Sequence, residues 1–264
     1  MQLIFEKHII IKDLERWLLI MKNNTLIFGD SYSTFKGYVP EGYAIYYSEN
    51  ERPETDVTKV EQTWWYQVVE EAGFKLALNN SWSGSTIGYT GYNNTDCSKS
   101  SSFIYRLKQL IESDFFEKNQ IDTVFVFGGT NDSWSNAPLG EVKYSGWQEA
   151  DLYFVLPAVC YFLNIIKQTL PQAIIYCMIN TEIKTEIACC MKDACAKYNI
   201  VPITFNSIDK KCGHPTIQGM KDIKESVLSV LNKLDASGVN PHSAVILCAR
   251  LCIAKQNLSK GVGE

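Results

Sequence analysis

Residues 122–132 read DTVFVFGGTND, and this stretch decides the fold. From Thr123 to Phe127 every residue is β-branched or aromatic, with no polar residue alternating between them. Such a run is a strand buried on both faces, which occurs where helices cover both sides of a parallel sheet. It stops at Gly128-Gly129, and the polar Thr130-Asn131-Asp132 follows at once.

The same grammar repeats in both directions along the chain. Thr25–Phe28 is a short apolar run ending in Gly-Asp-Ser, and Phe74–Leu78 is a second strand. Ala173–Ile179 (AIIYCMI) and Ile200–Phe205 are two more. Helical patterns lie between them: Thr63–Ala72, stopped by Gly73; Glu149–Leu170, with Pro157 early and Pro171 at its end; Thr181–Tyr198; and Thr216–Leu234. Five strands alternating with helices, and no internal repeat, predict one α/β domain over residues 21–234, a doubly wound parallel sheet in three layers. Residues 1–20 are expected to be an accessory segment with an amphipathic spacing (Ile9, Ile10, Leu14, Trp17, Leu18), and residues 235–264 a tail without an assigned role.

Composition narrows the class. With 264 residues, 46% of them hydrophobic, the chain can bury about three quarters of its surface, which excludes disorder. The formal charge of −4 and the lack of any basic run leave no footprint for a nucleic-acid backbone. The uncharged stretch from Leu152 to Ile166 is too short to span a bilayer, and charges interrupt the N-terminal apolar residues, so neither a membrane span nor a signal peptide is expected. Nine cysteines, an odd number without CxxC spacing, read as reduced thiols and a cytoplasmic location. Cys212 and His214 have no second pair at metal-ligand spacing, so no metal is expected.

Ligands of open parallel sheets bind beyond the carboxyl ends of the strands, so the segments that follow the strands carry the chemistry. They are Gly29-Asp30-Ser31, Asn79 to Ser85, Gly128 to Asp132, and Asp209 to Pro215. Together they offer a hydroxyl, small-residue amides, a side-chain amide and an imidazole, the parts needed for acyl transfer. Ser31 is the candidate nucleophile and His214 the base that takes its proton. The backbone N–H groups of Ser31 and Gly84 and the Asn131 amide are the candidate oxyanion donors. Tyr32, Trp82, Tyr89 and Trp134 fall in these segments and are candidates to line a substrate pocket.

Gly29-Asp30-Ser31, Gly84, Gly129-Thr130-Asn131-Asp132 and His214-Pro215, in this order over residues 24–232, resemble the four blocks of the SGNH (GDSL-type) hydrolases. The resemblance implies a flavodoxin-like fold, Ser31 as nucleophile, His214 as base, and an oxyanion hole of Ser31, Gly84 and Asn131. It also implies hydrolysis of a small-molecule ester or thioester without a cofactor, often of acetyl groups on sugars. An acyltransferase or thioesterase with the same site is the second enzyme reading, and a catalytically silent carbohydrate-binding module the reading from another class. One position departs from the pattern: Lys211 stands three residues before the histidine, where the family's supporting aspartate usually lies. Either the loop bends so that Asp209, the nearest carboxylate, still reaches His214, or a backbone carbonyl orients the ring and the site is a dyad.

Overall fold

The computed structural model describes residues 24–236. The expected accessory segment (1–20) and nearly all of the expected tail (235–264) lie outside the described residues. Five parallel strands form the central sheet: β1 (Asn24–Gly29), β2 (Lys75–Ser81), β3 (Thr123–Phe127), β4 (Ile174–Ile179) and β5 (Val201–Thr204). Their order is β2-β1-β3-β4-β5, with β3 paired to β1 on one side and β4 on the other. The chain runs outward from β1 to β2, then returns to β3 on β1's other flank. This reversal opens a crevice at the carboxyl ends of β1 and β3, where ligands of such sheets bind.

Five longer helices cover the sheet: α1 (Trp64–Ala72), α2 (Phe103–Glu112), α3 (Val155–Thr169), α4 (Thr185–Tyr198) and α5 (Ile217–Ala236). Alternate residues of each strand feed opposite layers, as the two-residue period of a strand requires. Leu26, Phe28, Val124 and Val126 pack with α2, α3 and α4, whereas Ile27, Phe125 and Phe127 pack with α1 and α5. The continuous apolar reading of β3 therefore has a direct cause: it is the middle strand and both of its faces are core.

Two expectations change in detail, and one helix is new. The segment Glu149–Leu170 is not one helix, because Phe154 is extended (φ −107°, ψ 138°) and separates a 3₁₀ turn at Glu149–Tyr153 from α3. Pro157 then falls in the first turn of α3, where its missing N–H costs no hydrogen bond. The second strand continues through Asn79, Asn80 and Ser81, all buried, since each meets a polar partner at the sheet edge. The helix α2 was not foreseen; Ser102 caps it by accepting the Tyr105 N–H at 3.2 Å. Among the described residues, no helix is long and apolar enough to cross a membrane.

Candidate active site

Directly after β1, Asp30 turns the chain into a single 3₁₀ turn, Ser31–Ser33, and its carboxylate accepts the Tyr32 N–H at 3.0 Å. The turn places Ser31 Oγ 3.1 Å from His214 Nε2 across 183 positions of sequence. On the other side of the ring, Nδ1 lies 3.1 Å from the Cys212 carbonyl oxygen. A carbonyl can only accept, so Nδ1 carries the proton and Nε2 presents its lone pair to Ser31. That is the tautomer a general base needs. Burial holds the imidazole below its usual range, the Cys212 carbonyl opposes this, and the cations Arg52 and Lys210 add to the lowering. His214 is therefore unprotonated at neutral pH.

His214 sits on a hairpin of two short strands, β6 (Lys210–Lys211) and β7 (His214–Pro215), paired antiparallel with Lys211 opposite His214. The two turn residues have φ of +49° at Cys212 and +76° at Gly213, the requirement of a two-residue type I′ turn. Glycine is needed at 213 for a second reason: a Cβ there would lie 2.9 Å from the Trp134 ring. The same register decides the fate of Asp209. Continuing the ladder sets it opposite Thr216, whose hydroxyl donates to the Asp209 carboxylate and whose N–H donates to the Asp209 carbonyl at 3.1 Å. The structure does not bring Asp209 to His214; the Cys212 carbonyl occupies Nδ1 instead.

The candidate oxyanion donors are held by buried polar contacts. Asn131 Nδ2 donates to the Ser85 carbonyl at 3.0 Å, while its Oδ1 accepts the Tyr92 hydroxyl at 2.8 Å. The Ser85 carbonyl can only accept, so it fixes which end of the amide is nitrogen and leaves the second N–H of Nδ2 for a ligand. Gly84 is exposed with φ +80° and open space around it, and among the described residues neither its N–H nor that of Ser31 meets a protein acceptor. Asp132 bridges two segments, since its carboxylate accepts the N–H groups of Ile87 (2.9 Å) and Gly88 (3.2 Å). Burial raises its pKa to about 6 against those donors. Asp30 is wholly buried with Oδ2 unpartnered, and desolvation pushes its pKa up to about 7.

Arg106 on α2 ties these segments together, and sequence reasoning missed it. It is 1% exposed and donates to the Asn80 carbonyl, to Asn80 Oδ1 at 3.0 Å, to the Ser101 carbonyl at 2.9 Å, to Ser85 Oγ at 3.1 Å and to the Gly29 carbonyl at 3.3 Å. One guanidinium thus spans the ends of β1 and β2 and the residue after Gly84. Desolvation lowers its pKa to about 9, so it stays charged at neutral pH.

Two of the four candidate pocket aromatics need correction. Tyr32 is fully buried, and its hydroxyl donates to the Gly213 carbonyl at 2.5 Å, so it anchors the hairpin and does not line a pocket. Tyr89 is 2% exposed and accepts from Lys108 Nζ at 2.9 Å, its ring packed edge-on to Tyr153. Trp134 does border the site, 38% exposed and edge-on to His214 at 5.9 Å. Trp82 is half-buried against Tyr43, ring centres 4.3 Å apart. Tyr46, Tyr92 and Arg106 are the site residues that periodicity did not reveal. Among the described residues no three His, Cys, Asp or Glu side chains converge in a way that would hold a metal ion.

Comparison with known proteins bears on the family and the fold. The family model for GDSL-like lipase/acylhydrolase matches residues 23–231. The chain is similar to two solved structures described as GDSL-like lipases. One, from Bacteroides ovatus, is 42% identical with a TM-score of 0.74, covering 80% of this chain and 99% of that one. The other, from Bacteroides uniformis, is 44% identical with a TM-score of 0.74, covering 80% and 96%. An acetyl xylan esterase from Butyrivibrio proteoclasticus shares the fold at 15% identity, with a TM-score of 0.53 over 81% of this chain and 65% of that one. Comparison with curated protein sequences finds no match.

Proposed function

This chain belongs to the GDSL-like lipase/acylhydrolase family of ester-bond hydrolases, and from that premise we propose that it hydrolyses short-chain carboxylic esters, acetyl esters of carbohydrates among them, through an acyl-enzyme on Ser31. The observation that carries the reading is the Ser31 Oγ to His214 Nε2 contact of 3.1 Å with Nδ1 committed to a carbonyl.

As Ser31 Oγ attacks the ester carbonyl carbon, Nε2 takes its proton and the carbonyl electrons move onto oxygen. The resulting oxyanion accepts from the Ser31 and Gly84 N–H groups and the unused N–H of Asn131 Nδ2. Collapse breaks the ester C–O bond, and the imidazolium returns its proton to the leaving alkoxide. Water then attacks the acyl-Ser31 ester with Nε2 again taking a proton, and the acid leaves with Ser31 restored. Among the described residues the cation formed on His214 has no carboxylate partner; the Cys212 carbonyl is its hydrogen-bond acceptor. The exposed faces of Trp134 and Tyr92 suit the apolar face of a sugar ring, in keeping with the acetyl xylan esterase that shares the fold.

Chromogenic esters from acetyl to decanoyl, with fluorophosphonate labelling, test the reading. Turnover should be highest for the shortest chains, and Ser31→Ala should lose both turnover and label while keeping its melting temperature. Label retained in Ser31→Ala, or a decanoyl optimum, contradicts it.

A further inference from the structure

A catalytic histidine needs two constraints, one on its tautomer and one on the plane of its ring. The bond from Nδ1 to the Cys212 carbonyl supplies the first. It does not supply the second, because the imidazole can still swing about that single contact and carry Nε2 off Ser31. Where a carboxylate lies on Nδ1, its charge and two oxygens restrict this motion. Among the described residues no carboxylate is in place here.

What lies against the ring is Tyr46. Its phenol is parallel to the imidazole within 6°, with ring centres 3.5 Å apart. The other aromatic neighbours meet His214 at an angle and further off, Tyr32 at 5.6 Å and 58° and Trp134 at 5.9 Å and 75°. Tyr46 is itself fixed at several points. Its N–H donates to Thr34 Oγ1 at 2.8 Å, in the turn that carries Ser31. Its carbonyl accepts from Arg52, whose guanidinium also lies over the Tyr46 ring at 4.3 Å. The next residue, Tyr47, is buried and donates its hydroxyl to the Pro215 carbonyl at 2.9 Å. The Tyr46-Tyr47 pair thus grips both His214 and its neighbour on the hairpin.

We propose that Tyr46 is a positioning residue for the catalytic base, holding the His214 imidazole in plane by stacking, in the role a triad carboxylate fills elsewhere. The inference rests on the hydrolase reading above but depends on a contact that reading does not use. The negative face of the phenol ring also attracts the imidazolium that forms when Ser31 loses its proton. Arg52 acts against that attraction by placing a cation over the same ring. The charged and titratable groups facing the imidazole are Ser31 and Tyr32 from the turn after β1, Tyr46 and Arg52 from the long loop before α1, and Lys210 and Cys212 from its own hairpin. Lys210 is paired with Glu182 at 3.1 Å, which leaves Arg52 as the cation whose removal should register most clearly at the base.

The chain has three histidines, so the imidazole Hε1 resonances can be resolved and titrated by NMR in the whole protein. In the wild type, the His214 resonance should be displaced upfield by the Tyr46 ring current. Tyr46→Phe keeps the ring and should keep the displacement, with kcat within about threefold. Tyr46→Leu should lose the displacement and lower kcat by about 10²-fold, the scale of a reacting group misplaced by an ångström, with KM little changed. Arg52→Gln should move the acid limb of kcat/KM to higher pH. A wild-type resonance without displacement overturns the stack, and Tyr46→Leu with near-normal kcat overturns its role. A displaced resonance in a protein whose Ser31 takes no fluorophosphonate fails the hydrolase reading instead, and the catalytic role of the stack falls with it.

Discussion

The two halves of the site are built by opposite means. Ser31, Asn131 and the segments around them are almost wholly buried, and a polar network beneath them runs from Arg106 through Asn80, Ser85 and Asn131 to Tyr92. The His214 half is a surface hairpin hung from aromatic side chains: the Tyr32 and Tyr47 hydroxyls on its carbonyls, Tyr46 on its imidazole and Trp134 against its glycine. In the proposed reaction charge appears on the substrate oxygen in the first half, so its donors must be aimed in advance, in a medium where buried hydrogen bonds are strong. The second half need only keep one tautomer and one ring plane. A loop with few but well-placed contacts suffices for that.

If this contrast is right, the largest effect should follow from cutting the buried network at its cation. Arg106→Met takes a charged donor away from acceptors in four segments, and should cost about 3–5 kcal/mol of stability, read from urea denaturation. A loss below about 1 kcal/mol would mean that the network is not what holds this half together. Asn131→Ala should come next, lowering kcat by roughly 10²–10³ with KM little changed, because its donor serves charge present only in the transition state. A change confined to KM would assign Asn131 to substrate binding.

Asp30 tests the buried half by pH. Its folded pKa of about 7 lies above that of the unfolded carboxyl, so between the two the folded state holds a proton the unfolded chain has released. Stability should therefore fall as pH rises from about 5 to 7, by at most about 2–3 kcal/mol for one proton. Asp132 adds to the same slope and His214, whose pKa is lowered, opposes it near its usual range. Asp30→Asn should flatten the curve; an unchanged slope would place the titration elsewhere. In the other half the expected effects are smaller. Tyr32→Phe removes one donor from the Gly213 carbonyl and should cost about 1 kcal/mol by the same denaturation, with activity falling a few-fold.

The sheet was legible because its signal is local. A strand buried on both faces, such as Thr123–Phe127, announces itself as an unbroken apolar run, and the candidate blocks at Ser31 and Asn131 each follow such a run. The unforeseen contacts join distant residues through loops. Tyr46 meets His214 and Tyr92 meets Asn131 without any spacing that would betray it. Arg106 did leave a trace. It lies among Phe103, Leu107 and Leu110 at helical spacing, so a charge stood on the apolar face of a helix that had itself gone unread. Tyr32 falls in a segment that follows a strand, but a 3₁₀ turn sends neighbouring side chains in different directions, and the position alone does not show that its ring is buried. Asp209 could not be settled without the hairpin register, which the turn at Cys212-Gly213 sets.

That register also supplies the most direct test of the central claim, that the base works without a carboxylate. The measurement is kcat/KM against pH for the wild type and Asp209→Asn. With Asp209 held by Thr216 and the Cys212 carbonyl on Nδ1, the two profiles should share a shape and differ by no more than about tenfold. A loss approaching 10⁴ across the whole profile, the cost of removing an essential triad aspartate, would show that Asp209 reaches His214 during catalysis and that the carbonyl-held base is wrong.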